Sequence, residues 1–114
     1  MNDLIIRKKL VLKDELFFRQ HLEIVSAVLP VKLTDKEIDV LSIFMFKGNF
    51  SKESRKYVRE KLNLSSASLS NYIRYLLNKG YIIRGNDDIF KFNNLIKADK
   101  VIKYNFELEY EGQQ

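Results

Sequence analysis

Residues 51–85 read SKESRKYVREKLNLSSASLSNYIRYLLNKGYIIRG, and the fold turns on how that stretch is parsed. It reads as a helix, a tight turn, a second helix opening on serines, a glycine stop and the start of a hairpin. Ser51 or Ser54 can cap the first helix, which turns Tyr57, Val58 and Leu62 inward. Arg55, Lys56 and Arg59 then share one outward face. Asn63-Leu64-Ser65 makes the turn, with Leu64 dropping between the helices. Ser65 is the N-cap expected for a helix running to Lys79, whose buried side holds Leu69, Ile73, Leu76 and Leu77. Gly80 stands where a left-handed residue closes a helix. Residues 81–84, a turn at 85–88 and residues 89–92 complete a hairpin.

Upstream, Thr34-Asp-Lys-Glu37 has the spacing of a capping box. The helix it opens carries Ile38, Leu41, Phe44 and Met45 inward and ends near Gly48. Before it, Phe17, His21, Ile24, Val25 and Val28 recur at three- and four-residue spacing, which predicts a helix over 14–29. Phe18, Leu22 and Leu29 widen its apolar face, and Pro30 stops it. A helix this apolar belongs in the core or in a dimer interface. Residues 4–12 read as a strand interrupted by Arg7, Lys8 and Lys9. At the other end, Ile102, Tyr104, Phe106, Leu108 and Tyr110 alternate with Lys103, Asn105, Glu107 and Glu109, which predicts a strand over 101–110. Its acidic side would suit the basic N-terminal strand, within one chain or between two.

The chain has 114 residues, room for one domain with a modest core, and no cysteine. Disulfides, thiolate metal sites and cysteine nucleophiles are thereby excluded. No signal peptide is expected, because charges interrupt the apolar run at the N-terminus. No stretch approaches the ~20 apolar residues of a membrane span. A cytoplasmic protein is expected. The net charge of +5 is unevenly placed: residues 47–84 hold nine basic and two acidic side chains, the rest eleven basic and thirteen acidic. All the excess positive charge lies in the decisive stretch, as in a protein that grips phosphate backbones.

Catalytic chemistry is hard to find. The single histidine, His21, lies on an apolar stripe without a partner at ligand spacing. Asp87-Asp88 sits in a turn, where aspartate has backbone reasons to be. The glycines are scattered, and nothing near Ser66 would activate a nucleophile. No enzyme, metal or cofactor is expected.

The order of these elements is that of a winged helix-turn-helix. Residues 64–84 resemble the recognition helix and first wing strand of MarR-type transcriptional regulators, and Leu33-Thr-Asp-Lys-Glu-Ile-Asp-Val-Leu41 resembles that family's first core helix. The resemblance covers about residues 33–92. It implies a three-helix core and hairpin wing at 33–92; with the strand and helix read at 4–29 and the strand read at 101–110, the whole is expected to be one α+β domain spanning 1–114. The resemblance places Ser66, Ser68, Ser70, Asn71 and Arg74 in the major groove of double-stranded DNA. Serine suits phosphate, asparagine can pair with adenine, and arginine with guanine. Lys52, Arg55, Lys56 and Arg59 would hold the backbone, joined by Lys79 and by Arg84 at the base of the wing.

Two features depart from the family. The wing tip carries Asn86, Asp87 and Asp88 where basic residues are usual, and the C-terminus lacks the family's dimerising helix. A homodimer could form through residues 14–29 or through the terminal strands. The expected function is DNA binding in transcription regulation, in a bacterium or phage with an A·T-rich genome. The alternative is a winged-helix interaction module, an adaptor in a phage, replication or transcription complex. The acidic, alternating C-terminal segment suits that role by adding to a partner's sheet.

Overall fold

The computed structural model describes residues 7–86 and 89–112. Four helices precede a hairpin: α1 Glu15–Val28, α2 Asp35–Lys47, α3 Lys52–Leu62 and α4 Ser66–Asn78. The hairpin pairs β1 Ile82–Arg84 antiparallel with β2 Phe90–Phe92, with Ile82 opposite Phe92 and Arg84 opposite Phe90. A 3-10 turn, Asn94–Ile96, follows. The class is α+β.

Helix boundaries follow local chemistry. The Thr34 hydroxyl accepts the Glu37 amide while the Glu37 carboxylate accepts the Thr34 amide, the reciprocal capping box expected from the sequence. Gly48, at φ 81°, ends α2 in the left-handed region. Ser51, rather than Ser54, caps α3; Ser54 is buried and donates to Asn49. Asn63 takes φ 54° to close α3, a conformation asparagine tolerates better than most residues. Ser65 caps α4. At the far end the Gly80 amide donates to Leu77 and the Tyr81 amide to Leu76, the paired bonds of a Schellman stop.

α2 is the central element. Val40, Leu41 and Phe44 are fully buried, enclosed by Leu22 of α1, Val58 of α3, Leu76 of α4, and Ile82 and Ile96 after the helices. Each such side chain contributes about 1.5–3 kcal/mol by leaving water. The Tyr81 hydroxyl donates to the Val31 carbonyl at 2.5 Å, tying the start of the hairpin to the α1–α2 loop.

The expected stripe on α1 is rotated. His21, Leu22, Val25 and Ser26 face inward, with Phe18 and Leu29 packed beside them, whereas Val28 is 59% exposed. Leu33 donates its amide to the Ser26 hydroxyl, so the chain leaving α1 turns the helix toward this polar anchor.

The terminal strands require correction. Residues 7–12 form no strand, and residues 4–6 lie outside the described set. Residues 101–110 pair with no strand among the described residues. Their alternation finds a surface only at its beginning: Ile102 and Tyr104 are half-buried, but from Asn105 to Tyr110 every side chain is exposed. Tyr104 is held by His21, whose Nδ1 lies 2.6 Å from its hydroxyl and whose Nε2 lies 2.8 Å from the Ile96 carbonyl. A carbonyl can only accept, so Nε2 carries the proton and Nδ1 of the neutral ring accepts from Tyr104.

Candidate nucleic-acid interface

The three-residue turn at 63–65 brings the outward faces of α3 and α4 together. On α3, Ser54 and Val58 point to the core, so Lys52, Arg55, Lys56 and Arg59 fall on the opposite side. Lys52, Arg55 and Lys56 are exposed there, and Arg59 is half-buried. On α4, Leu69, Ile73 and Leu76 are buried, which turns Ser70, Asn71 and Arg74 to solvent.

Hydrogen bonds hold several of these groups in place. The Arg55 Nε donates to the Phe50 carbonyl at 3.0 Å, fixing its stem at the start of α3. One Arg59 guanidinium nitrogen donates to the Ser66 hydroxyl at 2.9 Å and links the two helices. The Arg74 guanidinium donates to the Asn71 side-chain oxygen at 3.0 Å and lies over the Tyr75 ring, 5.7 Å from its centre. Lys56 stands 4.0 Å from Glu60, an exposed pair of little energetic weight.

Two expected contacts, Ser68 and Lys79, have a different setting. Ser68 is half-buried within the cap, its amide and hydroxyl both bonded to the Ser65 hydroxyl. Lys79 is turned back into the domain, 2.6 Å from the buried Glu37 carboxylate and 3.1 Å from the Lys32 carbonyl. Burial pushes the Glu37 carboxyl up, but the Lys79 ammonium and the Thr34 capping bonds outweigh it and hold it below its ordinary value. Arg84 lies on the hairpin, stacked over Phe90 at 5.3 Å. The expected acidic wing tip, Asp87-Asp88, lies outside the described residues.

Two residues near this face escaped the sequence reading. Tyr75, 42% exposed, forms the platform under Arg74; its one-residue offset from Arg74 on an outward helix face was the available signal. Lys97 lines a cleft beside β2 together with Arg55 and Lys91. It lies outside residues 47–84, where the excess positive charge is concentrated.

The C-terminal segment is anchored at α1 through Tyr104 rather than on α4. Among the described residues no group of three or more His, Asp or Glu side chains could hold a metal. No described helix is long and apolar enough to cross a membrane. Comparison with family models, curated proteins and solved structures finds no match.

Proposed function

We propose that this chain is a winged-helix domain, of the kind MarR-type regulators carry, that binds double-stranded DNA in the cytoplasm and regulates transcription. One observation carries the reading. Two successive helices joined by a three-residue turn present exposed Lys52, Arg55, Lys56, Ser70, Asn71 and Arg74 on outward faces, with the core behind them. In this reading α4 enters the major groove. Asn71 and Arg74 read base edges, and Tyr75 stiffens Arg74. Lys52, Arg55 and Lys56 neutralise phosphates, with Arg59 positioning Ser66 at the start of α4. Lys79 is left out because Glu37 occupies it.

Fluorescence anisotropy with a labelled random-sequence duplex, titrated across salt, tests the backbone contact. Micromolar binding that weakens steeply as salt rises is expected. Once a specific site is selected, Arg74→Ala should cost about 1–3 kcal/mol at that site and relax its sequence preference. Lys56→Ala should weaken all duplexes alike and flatten the salt slope by about one unit. Equal affinity of the wild type and both variants would remove DNA from this face.

The interaction-module reading has one observation on its side: Phe106, Leu108 and Tyr110 are exposed and alternate with Glu107, Glu109 and Glu111. Absence of duplex binding at low salt selects it.

A further inference from the structure

We infer that the segment from Phe106 to Glu111 of one protomer docks along the free edge of β2 of a second copy, so that two chains exchange C-terminal tails in a closed dimer. The tail is the first half of the case. Phe106, Leu108 and Tyr110 are 65%, 102% and 90% exposed, and they alternate with Glu107, Glu109 and Glu111. Extended, such a segment has one apolar face and one acidic face. No described residue of its own domain covers it. The radius of gyration is 16.5 Å, against roughly 13 Å for a compact chain of this length.

The receptor is the second half. The Asn93 amide bonds to the Tyr81 carbonyl and the Gly85 amide to the Ile89 carbonyl, so the hydrogen-bonded pairs of the ladder are 81–93, 83–91 and 85–89. By the antiparallel alternation, the amides and carbonyls of Phe90 and Phe92 aim away from β1. An open cleft of about 680 Å³ lies between β2 and the segment from Gly48 to Ser51, and β1 contributes no residue to it. Phe50, Phe90 and Phe92 give it an aromatic floor, the Phe90 ring centre 6.0 Å and the Phe92 ring centre 4.8 Å from that of Phe50. Arg55, Lys91 and Lys97 give it a positive rim, and no acidic residue lines it among the described ones.

Strand addition would bring backbone to backbone at the β2 edge, apolar side chains onto the three phenylalanines, and glutamates onto the basic rim. Like charge argues against pairing tail with tail. Each protomer carries one tail and one cleft, so reciprocal exchange closes at two chains with a two-fold axis.

A charge swap tests this by sedimentation velocity in the absence of DNA, so the result does not depend on the function proposed above. The wild type should dimerise, more weakly at high salt. K91E/K97E and E107K/E109K should each weaken dimerisation by about tenfold or more. Mixed in equal amounts, they should recover the dimer, because both exchanged contacts then join opposite charges. L108D, at a fully exposed position, should also be monomeric with unchanged helical content. A monomeric wild type, a mixture that stays monomeric, or a dimer indifferent to all these changes would each overturn the inference.

Discussion

Lys79 and Glu37 show how a basic residue in a basic segment can serve the fold instead of a ligand. The carboxylate is almost wholly buried, and its Oε1 accepts from both the Lys79 ammonium and the Thr34 amide. Removing the lysine leaves a buried anion with only its cap. Lys79→Ala should therefore cost about 2 kcal/mol in urea unfolding. The pH response follows from the lowered Glu37 value. Stability from this carboxylate is present above its ordinary value of 4.5 and is lost as pH falls through the lower folded value. Glu37→Gln keeps a capping side chain but cannot take up that proton. The acid loss of stability should therefore be shallower in Glu37→Gln than in the wild type, and parallel curves would show that Glu37 contributes little to it.

At the scale of elements, the ends of α4 can be weighed against each other. A Cβ built on Gly80 meets nothing within 4 Å, so Gly80→Ala is opposed only by the left-handed backbone at φ 80°. That costs about 1 kcal/mol. Ser65→Ala removes the acceptor of the Ser68 amide and should cost a similar ~1 kcal/mol. Chemical denaturation of the two variants and their double mutant should give nearly additive losses, since the two sites share no partner. A double mutant no worse than either single change would mean that α4 frays from both ends together.

These caps also mark how far the sequence could be read. Thr34, Ser65, Gly48 and Gly80 specify their helix ends through contacts within a few residues, and all four were legible. The faces of α3 and α4 were legible for the same reason, because a buried stripe defines its opposite. The ion pair of Lys79 joins residues 42 apart, and local spacing holds no trace of it. The C-terminal alternation predicts a strand because period two reports a preference for an edge, and no edge receives it within the described chain. Val28 falls on the solvent side of α1, against the spacing, because several registers of an apolar helix fit the same residues. The polar contact that selects one of them, Ser26 with Leu33, is tertiary.

Across the whole molecule, His21 joins parts that the chain order keeps apart. It lies on α1, yet its two ring nitrogens hold Ile96, 75 residues on, and Tyr104, 83 residues on. Its folded value is lowered, because burial disfavours the imidazolium more than the Ile96 carbonyl favours it. In the unfolded chain the ring takes up a proton near its ordinary value of 6.5, while the folded ring resists until lower pH. Between those values the unfolded state binds more protons, so stability rises with pH. The stability associated with a neutral His21 is thus complete above pH 6.5 and declines below it, down to the folded value. Thermal unfolding followed by circular dichroism between pH 7.5 and pH 5 should show a falling midpoint in the wild type. His21→Gln, which cannot ionise, should flatten that slope even though it lowers stability at pH 7.5. Tyr104→Phe should lower the midpoint by an amount corresponding to about 1 kcal/mol while keeping the slope, because the buried ring and its Ile96 bond remain. If the slope survives His21→Gln unchanged, the titration belongs to another group, and His21 holds the C-terminal segment without making its attachment sensitive to pH.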